Sequence, residues 1–329
     1  MSRRSWAALR LLGGAAILAV LVSVLGAGSF LRGVWTVDGW SLAAAAGIAV
    51  LTTLCCAWRW CLVARGLGVA VPLRTAFAAY YRSQFLNTVL PGGVLGDLHR
   101  GVAHGRDAGD VGRGLRAVAW ERCAGQMVQA ALAMIALLAL PSPVRSAMPV
   151  ILGVSLALAL AGVALLRVLP HRGSSRWART LRAVGSDLRD GLLAHRAWPG
   201  IVAASVVVVA GHTATFLIAA RATGVTASPA RMLPLALLIL LAMSVPLNIA
   251  GWGPREGVAA WAFGAAGLGA GQGVTTAVGY GVLALVANLP GALVLIAGVA
   301  DHGGRRPERA EASRWRSPAA AHREGVAGG

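Results

Sequence analysis

The chain has 329 residues, of which 57% are hydrophobic, 13% are charged and 43 are glycine. Soluble domains carry about 25% charged residues, so a water-soluble globular protein is excluded and the bilayer becomes the relevant solvent. The net charge of +18 comes from 30 basic residues that are all arginine; in a membrane chain such arginines report orientation, and nucleic-acid binding is not expected.

In chain order, MSRR precedes an apolar stretch over 11–31, which is too long for the core of a typical cleaved leader and reads as a first span. Five further runs suffice to cross a bilayer, 41–63, 115–140, 146–168, 199–220 and 273–299, since a spanning helix needs about 20 mostly apolar residues. Two more segments, 73–98 and 232–270, are apolar overall but interrupted by polar residues, glycine and proline. They read as re-entrant elements. The expected fold is therefore an all-α polytopic bundle of about six full spans plus two re-entrant broken segments. Residues 1–300 would form the membrane domain and 301–329 a disordered cytoplasmic tail, because the tail is rich in Arg, Ala, Gly and Glu and has no apolar period.

With both termini inside, 24 arginines fall on the cytoplasmic side, four fall outside, and Arg122 and Arg255 lie within membrane segments. Basic residues in short loops are retained on the cytoplasmic face, which supports this orientation; the expected location is the cell (plasma) membrane. The loop 169–198 alternates arginine with Leu181, Leu188 and Leu192, a pattern that suits either an anionic leaflet surface or a solvated connector. Trp58 and Trp60 around Arg59 read as interface anchors. The four cysteines, Cys55, Cys56, Cys61 and Cys123, sit in apolar segments without metal-ligand spacing and read as small core residues. No metal site and no cofactor is implied.

In the first broken segment Tyr80, Ser83, Gln84 and Asn87 recur at i, i+3, i+4, i+7, so four polar side chains share one helical face. Pro91-Gly92-Gly93 then stops the helix, and Asp97 is placed to cap a new one and to reach Arg100 at i+3. A plain cytoplasmic loop is the alternative. In the second segment Asn248 precedes Gly251-Trp252-Gly253-Pro254-Arg255-Glu256, in which Gly253 as cap and Pro254 at the first helical position announce a helix start that attracts anions. Both segments contain S-x-x-L-N, at 83–87 and 244–248, and enter from opposite faces in the assigned topology. An inverted repeat gives that arrangement; so does coincidence.

Within the run 115–140, Arg122, Gln126 and Gln129 share a face, with Glu121 turned about 100° away. Intramembrane charge costs several kcal/mol unless paired or hydrated. These groups are either substrate-binding residues or a structural ion-pair set, for instance Glu121 with Arg255 and Arg122 with Glu256 or Asp97. His212, in the middle of 199–220, reads as a hydrogen-bonded helix-contact residue.

FLNTVLPGGVLGDLHRG at 85–101, AVAWER at 117–122 and PLNIAGWGPREG at 246–257 together resemble the lysylphosphatidylglycerol synthase transmembrane region family, the flippase-like membrane proteins. The resemblance covers nearly all of 10–300. It implies a bundle with re-entrant elements that moves or presents anionic, aminoacylated or polyprenyl-linked lipids. The family pattern falls on Asn87, Pro91, Gly92, Gly96, Asp97, Arg100, Glu121, Arg122, Arg255 and Glu256. Synthases of the two-part kind append a soluble aminoacyl-transfer domain, whereas here a 29-residue tail ends the sequence, so lysyl transfer is not expected.

The leading expectation is a lipid translocase whose substrate-binding residues are Asn87, Asp97, Arg100, Glu121, Arg122, Gln126, Asn248, Gly253, Arg255 and Glu256. The first alternative is a non-catalytic membrane partner of a separate glycosyl- or aminoacyl-transferase. The second is a lipid-modifying transferase using the D-x-x-D at Asp107 and Asp110, for which companion acids and a base are missing.

Overall fold

A computed structural model describes residues 27–90, 93–150, 197–244 and 252–304, with Ser23 and isolated positions between 152 and 164. Ten α-helices and one short 3-10 turn are found among these residues, and no strand. The helices are α1 (Ala27–Trp35), α2 (Gly39–Gly66), α3 (Leu73–Val89), α4 (Leu95–Asp107) and α5 (Val111–Ala139). They continue with α6 (Trp198–Ala222), α7 (Pro229–Ala242), α8 (Pro254–Ala265), α9 (Ala270–Asn288) and α10 (Pro290–Gly304).

Among the described residues four apolar stretches are long enough to cross a membrane: Gly39–Gly66, Val111–Ala139, Trp198–Ala222 and Ala270–Ala297. They match four of the six runs expected from hydropathy, while 11–31 falls mostly, and 146–168 in about half of its positions, outside the described residues. So do most of the loop 169–198 and the tail beyond 304. Helix α10 carries regular structure four residues past the expected domain boundary at 300. The last span is divided at Leu289, because Pro290 has no amide hydrogen to continue α9.

Local chemistry sets the ends of these helices. Asp38 accepts the Ser41 amide at 2.8 Å and its own amide returns to the Ser41 hydroxyl at 3.3 Å, a capping box that fixes the start of α2. Asp110 caps α5 by accepting the Arg113 amide at 2.9 Å and also pairs with its side chain at 3.5 Å, which gives that acid a structural task. Gly253 begins α8 with φ +119°, a conformation closed to side-chain-bearing residues.

Each broken segment is a helix–break–helix hairpin, α3 packing on α4 and α7 on α8. At the first, Gly96 lies so close to α3 that a Cβ there would sit 2.1 Å from the Ser83 carbonyl oxygen. Gly96→Ala is therefore expected to cost about 1–3 kcal/mol, read as a lowered thermal midpoint of the purified protein. Asn87 secures the same contact by accepting the Gly96 amide at 2.8 Å.

Helices α2 and α6 form the central pair and run antiparallel, since Gly200 abuts Trp58 and Leu62 whereas Gly211 abuts Thr52 and Ile48. Small residues let such backbones approach closely in a bilayer, where dispersion rather than the hydrophobic effect joins helices. Exchanging α2 with α6, α3 with α7, α4 with α8 and α5 with α9 maps the packing partners within this set of eight onto one another. The cores follow the exchange in part, since α8 enters the second core and its counterpart α4 does not enter the first. Trp60, Ala64, Tyr80 and Ala117 fill one between α2, α3 and α5; Phe216, Leu235, Phe263 and Tyr280 fill the other between α6, α7, α8 and α9.

Candidate functional site

Glu121 on α5 is fully buried and joins three helices. Its Oε1 accepts Nε and Nη2 of Arg59 at 2.8 and 2.5 Å and the Tyr80 hydroxyl at 3.0 Å. Its Oε2 accepts Nη2 of Arg100 at 3.1 Å. The same Arg100 nitrogen reaches Asp97 Oδ1 at 3.0 Å, and Asp97 Oδ2 pairs with Arg122 Nη2 at 2.6 Å. Arg59 also donates to the Ser205 hydroxyl at 2.9 Å, so the network runs from α6 through α2, α5 and α4. Such groups are tolerated at membrane depth only when mutually paired.

Arg100 is 1% exposed, and its Nε and Nη1 have no hydrogen-bond partner. Aromatic faces take their place: the guanidinium carbon lies 4.0 Å from the Tyr80 ring centroid and 4.5 Å from that of Trp60. Trp60 is thus a buried platform rather than an interface anchor, and Arg59, 4% exposed, is a network member rather than a loop arginine. Trp58 does remain exposed. Removing Arg59 and Arg100 from the cytoplasmic tally leaves the arginine bias with the same sign.

On the opposite hairpin Glu256 closes on its own helix start, accepting the Gly253 amide at 2.7 Å and Arg255 Nε and Nη2 at 2.8 and 2.5 Å. The Gly253 amide is therefore engaged within the chain, and Arg255 is buried beside it. It lies 5.0 Å from the Trp252 ring centroid and 5.5 Å from that of Tyr280. Gly281 makes room for it, because a Cβ there would stand 2.3 Å from Arg255 Nη2. Glu121 pairs with Arg59 and Arg100, and Arg255 with Glu256, in place of the Glu121–Arg255 pair expected from sequence. Of the alternatives for Arg122, Asp97 is the partner found.

Between the two clusters lies a cavity of about 510 Å³, within the range of small-molecule sites. Arg59, Arg122 and Arg255 line it, with Gln84, Asn87, Gln126, Gln129, Ser205, His212 and Tyr280 among the neutral polar side chains. A second cavity of about 190 Å³ shares Arg122, Gln126, Gln129 and His212 with it. Ser244 donates to Gln126 Oε1 at 2.7 Å, tying the end of α7 to α5. His212 and the Tyr280 hydroxyl lie 3.2 Å apart, the helix contact expected of that histidine.

Of the sequence-derived site residues, Asn87, Arg122, Gln126 and Arg255 face the cavity. Asp97, Arg100, Glu121 and Glu256 stand behind it and hold the arginines. Asp97 does not cap α4, whose N-cap is Val94; it lies in the first turn and accepts Ser83 and Asn87 side chains, each at 3.0 Å. Asn248, Pro91 and Gly92 lie outside the described residues. Arg59, Ser205 and Tyr280 are site residues that sequence reasoning missed. Ser205 shares a helical face with His212 at i+7 and Tyr280 one with Thr276 at i−4, a spacing that could have marked them, while Arg59 is itself charged and seven residues inside the end of α2.

An all-helical chain with several candidate spans and a charged cavity among them is a multi-pass membrane protein with an internal polar site. The family model described as lysylphosphatidylglycerol synthase TM region matches residues 7–291, and the chain belongs to that family. No curated protein and no solved structure is matched.

Proposed function

We propose that the protein carries an anionic phospholipid or a polyprenyl-linked glycolipid between the leaflets of the cell membrane, its head group in the cavity and its chains in the bilayer. The observation that carries this is the meeting of Arg122 and Arg255, from opposite halves of the chain, on one cavity that also holds Arg59. Guanidinium groups bind phosphate through paired, charge-assisted hydrogen bonds, and the neutral amides and hydroxyls suit the remainder of a polar head group. A name that speaks of lysylphosphatidylglycerol places the family beside phospholipids.

The two halves are read as an inverted repeat. Three features support it: antiparallel α2 and α6, helix partners that survive exchange of the halves, and the S-x-x-L-N string in each. Two hairpins meeting at a central site are how alternating access is built in other transporters. Cysteines at 87 and 248 should then be joined by short cross-linkers.

The test is reconstitution of the purified protein alone, following the leaflet position of a labelled anionic phospholipid and a labelled polyprenyl-linked glycolipid. Faster exchange of either than in empty vesicles is expected. Exchange that appears only after a separate glycosyl- or aminoacyl-transferase is added would instead assign the role of membrane partner.

Both termini are placed in the cytoplasm. In a cysteine-free background, single cysteines at the exposed positions Ala147 and Thr226 should react with an impermeant thiol reagent from outside intact cells, and one at Ser186 should not. Labelling at Ser186 would reverse the orientation.

A further inference from the structure

The charges around the cavity do not balance. Arg59, Arg122 and Arg255 line it and Arg100 lies directly behind. Against these four stand Asp97, Glu121 and Glu256, all turned away from the cavity and all engaged by arginine. These seven groups sum to one positive charge. The neighbouring breaks at 91–92 and 245–251 contain no charged residue to cancel it. Arg255 is neutralised within its own pair and Arg59 by Glu121, so the surplus rests on Arg100 and Arg122, which share Asp97. Of these two only Arg122 is open, with its side chain 38% exposed. A surplus cation away from bulk water is costly until an anion joins it.

We infer that the cavity selects a head group bearing one net negative charge on a phosphodiester, with neutral hydroxyl groups, and discriminates against diphosphates and aminoacylated head groups. This rests on reading the cavity as a lipid site. A diphosphate brings at least two negative charges and would leave one uncompensated. A lysyl ester adds two ammonium groups, turning a monoanionic phospholipid into a net cation, yet among the described residues none that lines the cavity is acidic. The neutral lining suits a polyol instead: Gln84, Gln126 and Gln129 offer amides, and Thr52 and Ser205 hydroxyls. The same chemistry belongs to a glycerol head group on a phospholipid and to a sugar joined through a single phosphate to a polyprenol.

The experiment measures binding of soluble short-chain probes to the full-length protein in detergent, independently of transport. The probes are dihexanoyl phosphatidylglycerol, its lysyl ester, dihexanoyl phosphatidylcholine, a short prenyl phosphohexose and a short prenyl diphosphate. Phosphatidylglycerol or the phosphohexose should bind about tenfold or more tightly than the lysyl ester, the phosphatidylcholine and the diphosphate, and the tighter of the two names the source. Gln126→Glu adds one negative charge to the lining and keeps the oxygen that accepts from Ser244. It should weaken both phosphodiester monoanions about tenfold and bring them level with phosphatidylcholine. The inference is overturned if neither monoanion binds, if the lysyl ester or the diphosphate binds as well as they do, or if Gln126→Glu leaves the preference unchanged. Selective binding without exchange in vesicles would defeat the translocase reading alone, whereas exchange favouring the lysyl ester would defeat this inference alone.

Discussion

Replacing Glu121 by glutamine is expected to destabilise the protein by about 3–5 kcal/mol, the usual result of stripping the partner from buried charges. The amide that replaces the carboxylate keeps one acceptor oxygen but turns an NH2 donor toward either Arg59 or Arg100, and both guanidinium groups lose their counter-charge at this position. Neither guanidinium has water to turn to, with Arg59 4% and Arg100 1% exposed. Thermal unfolding followed by fluorescence-detected size exclusion should show a large fall in midpoint and in folded yield. Adding Arg59→Met removes the stranded cation and should recover part of the loss, because the two sites share one interaction and their effects cannot add. Equal stability of Glu121→Gln and the parent would show that the network does not hold α2, α4 and α5 together.

Arg122→Ala should behave in the opposite way, losing transport while staying folded. The reason lies in Asp97, which after the change still accepts from Arg100, Ser83 and Asn87, each at 3.0 Å. No carboxylate is left unpaired, and the surplus positive charge disappears. Each charge-assisted contact to a phosphate is worth about 1.5–3 kcal/mol, so lipid exchange should fall by about ten- to a hundredfold or more. A structural role would appear instead as poor folding, relieved by Asp97→Asn. Parental exchange in well-folded Arg122→Ala would remove the arginine from the site.

What the sequence exposes here follows from how rare polar groups are in apolar runs. The stripe of Arg122, Gln126 and Gln129 stood out for that reason, and all three face the cavity. The two breaks were legible because glycine and proline interrupt hydrophobic segments, and each is flanked by two helices that pack on one another. Arg59 escaped because an arginine between two tryptophans, near the end of an apolar run, has the composition of an interface anchor. Only the tertiary approach of Glu121 and Ser205 makes it a buried residue. The partner of Glu121 was equally out of reach, since periodicity places a side chain on a face and says nothing of which helix that face meets. Glu256 shows the converse limit. Its position three residues after Gly253 was visible, but the closing of its carboxylate onto that amide was not.

The central claim is that Arg122 and Arg255 jointly hold one lipid phosphate. The most direct measurement is native mass spectrometry of protein released from nanodiscs containing equal amounts of phosphatidylglycerol and phosphatidylcholine. One phosphatidylglycerol retained per chain is expected for the parent, with retention lost in Arg122→Ala and weakened in Arg255→Lys, which keeps the charge but not the planar fork. Equal retention of the two lipids by the parent, or undiminished phosphatidylglycerol in Arg122→Ala, would contradict it.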